Sequence, residues 1–276
     1  MKFAICNILF NEGGAEQDFA EVCRIIARMG YHGVEIAPHT LDAAFESLSP
    51  ARHHEYRRSI EDNGMVCVGL HCLLRDGFDL LAMDAETTQR TYDHYHRLAD
   101  CCAELGGRIM VNGSPRQRMI KDSQTFDEGW ELAKTNLINI LPHIADRGIT
   151  LCFEPLGPVE TNFINTTAEG LKLVREINHP NCRLHLDVKA MSSESRPIED
   201  SIRSVPLEWL GHFHANDPNM SGPGTGDVEY GPIAAALNDI GWDGWISVEA
   251  FNSNGASPEQ CAQGSIDYLR RCWPTI

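Results

Sequence analysis

The sequence has few basic residues and no long hydrophobic run, and each absence excludes a class of partner. Lysine and arginine number 23 against 39 aspartates and glutamates, which gives a formal net charge of -16. Proteins that bind a polyphosphate backbone normally present a basic face to it, so we do not expect a nucleic acid partner. No apolar run reaches the roughly 20 residues that a membrane-spanning helix needs, so we expect no membrane association.

The sequence also has no CxxC pair in a zinc spacing, although it contains ten cysteines. The cysteines are scattered through apolar runs and helical stretches, as at Cys6, Cys67 and Cys152, and we interpret them as reduced, buried thiols. The opening MKFAICNILF has the apolar character of a short signal segment, but it contains Asn7 and lacks a small-residue cleavage site. We interpret it as the first strand and expect a cytoplasmic protein.

What is present is a regular alternation of short apolar runs with longer segments of helical periodicity, which is typical of repeated βα units. A chain of 276 residues suits one large domain, residues 1–276. The predicted strands are 3–9, 33–37, 66–71, 108–113, 149–155, 183–188, 210–215 and 245–251. Eight units predict an α/β protein with a single (β/α)8 TIM barrel. The alternative, a doubly wound sheet, would need a glycine-rich phosphate turn after the first strand, and this turn is missing.

Four consecutive predicted strands carry a metal-type ligand near their C-terminal ends, where TIM barrels hold their active sites. The ligands are Glu154, Asp187, His214 and Glu249. A single such residue is more often capped or salt-bridged, but three carboxylates in one barrel mouth repel one another without a cation. Oxygen and imidazole donors favour Mn²⁺, Mg²⁺, Co²⁺ or Fe²⁺ over a structural zinc ion.

Two further histidines share strand faces with these ligands. Residues two apart on a strand point to the same side, so His185 lies below Asp187 and His212 below His214, each roughly 6.6 Å deeper. We expect both to be hydrogen-bonding groups behind the ligands, although His212 could exchange roles with His214.

This ligand pattern on strands five to eight resembles the xylose-isomerase-like superfamily of sugar phosphate isomerases and epimerases. Within that superfamily it is most similar to the ketose 3-epimerases and hydroxypyruvate isomerases, and the resemblance spans the whole barrel. It implies one divalent metal ion bound by the four residues, with Mn²⁺ expected first and Co²⁺, Mg²⁺, Fe²⁺ or Zn²⁺ as alternatives. It also implies that Glu154 and Glu249 form the acid/base pair, that the ligand is a small sugar, and that the protein forms a homodimer or homotetramer.

Several residues after the strands are candidates for substrate binding. Glu160 resembles a second glutamate that supports base and substrate in the ketose epimerases. Other polar candidates, and basic residues that could bind a phosphate or carboxylate, also follow the strands. The candidates are His71, Asn112, Glu160, Lys189 and Asn216, with Arg75, Arg116 and Arg118 as further cations and Lys189 preferred among the basic residues.

Two positions depart from the pattern of the epimerases. Ala190 stands where they carry a histidine, three residues after the metal-binding aspartate. Met220 stands where they carry an arginine, six residues after the metal-binding histidine. We therefore expect the sugar-binding groups to differ and do not assume a free ketohexose as substrate.

The expected reaction is proton transfer beside a carbonyl through an enediolate, with Glu154 as base and Glu249 as acid. Return of the proton to the same carbon gives epimerisation and return to the neighbouring carbon gives isomerisation, and the sequence leaves both open. The nearest alternative is a keto-sugar or keto-inositol dehydratase or lyase on the same barrel. A non-catalytic sugar-binding module or an endonuclease-IV-like DNA repair enzyme is a more distant alternative, and the repair enzyme would need more metal-binding histidines and a basic surface.

Overall fold

Eight parallel strands form a closed barrel in chain order, with β8 paired to β1. The computed structural model describes residues 1–14 and 18–273. The strands are β1 (Lys2–Cys6), β2 (Gly33–Ile36), β3 (Val66–Leu70), β4 (Ile109–Asn112), β5 (Thr150–Phe153), β6 (Cys182–Asp187), β7 (Leu210–Ala215) and β8 (Trp245–Val248). Each overlaps one of the eight predicted strands, so the predicted (β/α)8 barrel is confirmed.

Helices cover the outside of the barrel and connect successive strands. Within the described residues they are α1 (Phe19–Met29), α2 (Pro38–Leu41), α3 (Pro50–Glu61), α4 (Ala85–Glu104), α5 (Phe126–Asp146), α6 (Thr167–Ile177), α7 (Val188–Met191), α8 (Ile198–Arg203), α9 (Tyr230–Asp239) and α10 (Pro258–Cys272). None of these helices combines the length and the apolar composition needed to cross a bilayer.

Capping residues set the ends of several helices. At the start of α5, the Thr125 side chain accepts the backbone N–H of Glu128, while the Glu128 carboxylate accepts the backbone N–H of Thr125. The same reciprocal arrangement begins α6 and α10. At the C-terminal end of α1, Gly30 has a φ of 90°, a left-handed conformation that glycine adopts without steric penalty. These signals explain why helix positions are readable from the sequence.

The helices α2 and α7 are not indicated by the pattern of apolar residues. Each contains four residues, too few to produce a helical repeat of apolar residues. Helix α7 follows β6 directly, and the Asp187 carboxylate caps it by accepting the N–H of Ala190 at 2.8 Å. A predicted metal ligand therefore also ends a strand and begins a helix.

The barrel interior contains completely buried polar side chains. Apolar side chains fill the layer between strands and helices, as Ile5, Phe153 and Leu237 show. Inside the barrel, by contrast, Glu35 and His212 are completely buried. Buried charged or polar groups are stable only when they are paired or hydrogen-bonded, so the interior requires a specific arrangement of partners.

Candidate metal centre

Strand register brings the predicted ligands together at the C-terminal end of the barrel. Asp187 on β6 is paired with His214 on β7. Glu154 and Glu249 lie one residue beyond β5 and β8, yet their N–H groups still bond the neighbouring strands, to Asn112 O at 3.2 Å and Ala215 O at 3.1 Å. The predicted strands 149–155 and 245–251 were therefore slightly too long, but the direction of the side chains is fixed as in a strand.

Four of these side chains form a compact group of donors. One ligand atom from each of Glu154, His185, Asp187 and His214 lies within 4.8 Å of all the others, and all four residues are buried. Glu249 joins through its Oε2, which is 3.3 Å from His214 Nδ1. The structure thus brings together all four predicted ligands, and it places His185, predicted to lie behind them, in the same group.

The electrostatics of the group fit a divalent cation. Burial, together with the charges of Asp187 and Glu249, raises the pKa of Glu154 well above its usual range. Burial and Glu249 likewise raise the pKa of Asp187. His185 has no hydrogen-bond partner on either ring nitrogen within the described residues. Mutually repelling carboxylates beside unpartnered imidazole nitrogens are the donor set of a transition-metal site.

A cavity of about 440 Å³ opens beside this group. Its polar walls include His71, Glu154, Glu160, Lys189 and Glu249, and its apolar walls include Pro38, Leu73, Val111, Leu156, Met220 and Phe251. This volume lies within the range of small-molecule sites. Since both predicted acid/base glutamates line it, a bound ligand would lie against the donor group.

Comparisons with known proteins agree with this arrangement. The family model described as "Xylose isomerase-like TIM barrel" matches residues 23–272. The chain belongs to this family. A D-psicose 3-epimerase from Agrobacterium fabrum is 28% identical over 241 residues, which cover 84% of this chain and 79% of that protein. A 3-dehydro-D-guloside 4-epimerase from Escherichia coli is 22% identical over 273 residues, covering 95% and 98% of the two chains.

Solved structures show the same fold. A D-psicose 3-epimerase crystallised in the presence of D-fructose superposes with a TM-score of 0.87, covering 100% of both chains at 24% sequence identity. The relatives are named epimerases, which confirms the prediction of an enzyme of the isomerase class. The ligand roles of individual residues stay predictions.

The predicted substrate-binding residues divide into two groups. His71, Glu160 and Lys189 line the cavity, and Lys189 Nζ lies 2.7 Å from Glu160 Oε1. Asn216 is not among the cavity-lining residues: its amide donates to Asp187 Oδ2 at 2.6 Å and its Oδ1 accepts the N–H of Lys189 at 2.8 Å. Asn112 is also absent from the lining and accepts the Tyr95 hydroxyl at 2.8 Å. The two asparagines hold neighbouring groups in place.

Two of the three further cations that were candidates for binding an anion have a carboxylate nearby. Arg75 pairs with Glu46, and Arg116 lies 3.8 Å from Asp76. Glu46 therefore offsets the charge of Arg75, whereas the side chains of Arg116 and Asp76 are 76% and 84% exposed and solvent screens their contact.

Arg118, the third, does not face the cavity. It is completely buried, donates to the backbone carbonyl of Glu154, and stacks 4.8 Å from the Phe153 ring. Burial lowers the pKa of its guanidinium to about 10. The idea that Arg118 binds a substrate anion is wrong, because its side chain supports the strand end that carries Glu154.

Two residues that sequence reasoning missed lie directly behind the donor group. Glu35 on β2 is completely buried; its Oε2 lies 2.8 Å from His212 Nε2, and both of its oxygens lie 3.2 Å from His214 Nε2. A proton on His214 Nε2, shared with Glu35, leaves Nδ1 free as an electron-pair donor, which is how a carboxylate orients a metal-binding histidine. The signal was a charged residue inside the apolar strand GVEIA.

Gly113 is the second. A Cβ there would lie 1.7 Å from Glu154 Oε2. Only glycine at this position leaves room for the observed Glu154 carboxylate, so the residue after β4 shapes the donor group without contributing a ligand atom.

Proposed function

We propose that the protein is a divalent-metal-dependent epimerase of small keto-sugars that transfers a proton beside a carbonyl. The observation that carries this proposal is the buried donor group of Glu154, Asp187, His214 and Glu249 beside a cavity of sugar size. The names of the relatives, a D-psicose 3-epimerase and a 3-dehydro-D-guloside 4-epimerase, support the same reaction class.

These four residues would hold the metal ion, and the oxygen-rich donor set favours Mn²⁺. A bound divalent cation would polarise the substrate carbonyl as a Lewis acid and stabilise the enediolate charge. The role of Glu35 in this scheme is to hold His214 with Nδ1 facing the group, and the role of Asn216 is to orient Asp187.

Glu154 and Glu249 are suited to exchange a proton because their environments differ. Burial and neighbouring carboxylates raise the pKa of Glu154, whereas burial of Glu249 is outweighed by the charges of His214 and His71, which lower its pKa. Two carboxyl groups with pKa values pushed apart can act as acid and base. A cation held by both glutamates would favour the ionised form of both, so the pKa directions of the metal-free protein do not set the order of proton transfer. We assign Glu154 as the base and Glu249 as the acid, with the order set by the face of the substrate that each side chain meets.

An uncharged substrate fits the cavity better than a sugar phosphate. The two less exposed cavity cations, Arg75 and Lys189, each have a close carboxylate partner within the described chain. A phosphate at either of them would have to displace that carboxylate. Hydroxyl groups can instead bond to the paired side chains without separating them.

The test combines metal analysis with solvent deuterium incorporation into a panel of ketoses and keto-glycosides, for the wild type, Glu154→Gln and the exposed control Glu131→Gln. We expect bound divalent metal and deuterium at the carbon beside the carbonyl. Glu154→Gln should slow exchange by roughly a hundred- to ten-thousand-fold, and Glu131→Gln should not.

Other outcomes separate the alternatives. Release of water or a leaving group from the substrate, with no epimer formed, would favour a dehydratase or lyase. Absence of metal from protein purified and then incubated with Mn²⁺ would contradict the central claim.

A further inference from the structure

A second set of donor atoms lies on the opposite side of Glu249 from the group described above. Cys6 ends β1, His71 follows β3, and Glu249 follows β8. One ligand atom from each of these three residues lies within 4.8 Å of the others, and all three are buried. Barrel closure therefore brings a thiol, an imidazole and a carboxylate together from three separate strands.

Glu249 faces both sets with different oxygens. Its Oε2 lies 3.3 Å from His214 Nδ1, and its Oε1 lies 2.9 Å from His71 Nδ1. The His71 and His214 rings stand edge to face with centroids 6.0 Å apart. The two oxygens of this carboxylate therefore face two different imidazoles, one on each side, so that each oxygen is available to a separate group of donors.

The partners of the thiol are weak. Cys6 Sγ contacts Ser247 Oγ at 3.7 Å and His214 Nε2 at 3.9 Å, both near the outer limit for hydrogen bonds to sulfur. His71 Nδ1 contacts Glu249 Oε1 at 2.9 Å and Cys72 Sγ at 3.4 Å, and within the described residues its Nε2 has no hydrogen-bond partner. No short hydrogen bond therefore holds the thiol, and the shortest contact of His71 Nδ1 is to the Glu249 carboxylate that would share the ion.

We propose that Cys6, His71 and Glu249 form a second metal site, which takes a thiolate-binding divalent cation such as Zn²⁺ or Co²⁺. Thiolate and imidazole favour these ions over Mn²⁺ and Mg²⁺. The proposal rests on the proposed function, because Glu249 would be shared with the first metal ion.

The second ion would face the substrate. His71 and Glu249 both line the cavity, so the fourth position of a tetrahedral site is open toward it. Three protein ligands and one open position are the pattern of a catalytic zinc site. Binding displaces the proton that Nδ1 of His71 shares with Glu249 and the thiol proton of Cys6, and both protons pass to solvent. A sugar hydroxyl or carbonyl oxygen would then occupy the open position.

Cobalt titration tests the proposal, because a Co²⁺ ion bound to thiolate shows an ultraviolet charge-transfer band. Metal-free protein is titrated with Co²⁺ and followed by calorimetry and absorption. We expect two equivalents per chain, with the charge-transfer band growing with only one of them. Cys6→Ser should abolish the band and lower the affinity for that Co²⁺ ion at least tenfold, while the other Co²⁺ ion still binds.

Two controls identify the thiol. Cys72→Ser removes the neighbouring cavity thiol, whose Sγ is 3.4 Å from His71 Nδ1, and should leave the band intact. Cys23→Ser removes a fully buried thiol in α1 and should do the same. A His71→Asn variant should lose the same equivalent as Cys6→Ser, which confirms the site even if one variant folds poorly.

Three results would overturn the proposal. One equivalent of Co²⁺ without a charge-transfer band would leave the proposed epimerase intact and remove the second site. Loss of the band in Cys72→Ser and its retention in Cys6→Ser would show that Cys72, and not Cys6, binds the ion. Failure to bind any Co²⁺ would contradict the proposed function as well.

Discussion

Two buried glutamates in the same barrel, Glu35 on β2 and Glu154 after β5, have opposite electrostatic surroundings. Burial alone would raise both pKa values. At Glu35 the charges and hydrogen bonds of His212 and His214 outweigh burial and hold the pKa well below its usual range. At Glu154 the nearest charges are Asp187 and Glu249, which add to burial and raise the pKa.

The two halves of the barrel therefore balance their buried negative charge in different ways. In the first half, Glu35 is a counter-charge that the protein supplies to its own imidazoles. In the second half, the carboxylates face one another, and the positive charge that balances them is expected to come from a cation. Mutations in the two halves should therefore both lower metal affinity, but only those in the first half should lower the stability of the metal-free protein.

The largest effect is expected for Asp187→Asn. The substitution removes a ligand charge and places an amide NH₂ opposite the Asn216 amide, which now donates to Asp187 Oδ2. Metal affinity should fall more than a hundredfold, beyond the roughly 10- to 100-fold typical of residues behind a ligand. Calorimetric titration with Mn²⁺ measures this. The metal-free protein should keep its melting temperature, because one of the repelling carboxylates is gone.

An unchanged affinity for Mn²⁺ in Asp187→Asn would contradict the ligand assignment. A large drop in the melting temperature of the metal-free protein would show instead that the carboxylates are stabilised internally, and the contrast with Glu35 would disappear.

The second effect is expected for Glu35→Gln. An amide can accept a hydrogen bond from one histidine only through its oxygen, so it cannot serve His212 and His214 alike. Metal affinity should fall roughly 10- to 100-fold, and the metal-free protein should lose on the order of 1–3 kcal/mol of stability, since a buried donor is left without its partner. Calorimetry and chemical denaturation measure the two quantities.

Glu46→Gln is the matched control for Glu35→Gln. Glu46 is also a largely buried carboxylate, but it pairs with Arg75 and lies 3.6 Å from His94 at the cavity wall, away from His212 and His214. An equal loss of metal affinity in both variants would indicate a general effect of removing buried charge.

The barrel was predictable from the sequence because its signals are local. Apolar runs of strand length and capping residues such as Thr125 mark each βα unit, and strand ends are where a TIM barrel displays its ligands. The direction of Glu154 and Asp187 followed from that rule alone.

The contacts behind the ligands were not predictable, because they join distant parts of the chain. Glu35 and His212 are 177 positions apart, and Cys6 and His214 are 208 apart. Only barrel closure brings β1 and β2 against β7 and β8. Arg118 was misread for the same reason: a basic residue after a strand looks exposed in the sequence, whereas the fold buries it beside Phe153.

The pH dependence of metal binding should follow from the second half of the barrel. In the metal-free protein the pKa of Glu154 is raised. Burial would lower the pKa of His214, but Glu249 and Glu35 raise it. Both groups must be deprotonated to bind metal, so affinity should weaken as pH falls and strengthen as pH rises, by up to about tenfold per pH unit for each proton released.

Calorimetry in buffers of different ionisation enthalpy counts the protons released on metal binding. Glu35→Gln should reduce the count, because it removes one of the charges that favour a protonated His214. An affinity for Mn²⁺ that is independent of pH would indicate that the ligands are already ionised in the metal-free protein.

The smallest effect is expected at the cavity wall. Lys189 and Glu160 form a pair that is only 12% and 23% exposed in its side chains, and neither belongs to the compact donor group. Lys189→Met should raise KM for a neutral keto-sugar by roughly tenfold, since a charged hydrogen bond is worth about 1.5 kcal/mol, and should leave metal content unchanged. Steady-state kinetics and metal analysis measure both, with the exposed Lys172→Met as control.

Substitution of Glu160, the partner of Lys189, tests whether this ion pair excludes phosphorylated sugars. Glu160→Gln leaves the Lys189 ammonium without its carboxylate, so anionic sugar phosphates should gain affinity relative to the neutral sugar. If they do, the pair is the element that excludes phosphorylated substrates, because the variant has lost the carboxylate that is hydrogen-bonded to the Lys189 ammonium. If the wild type already prefers the phosphate and Glu160→Gln changes nothing, Glu160 does not screen Lys189 from ligands and the assignment of a neutral substrate is wrong.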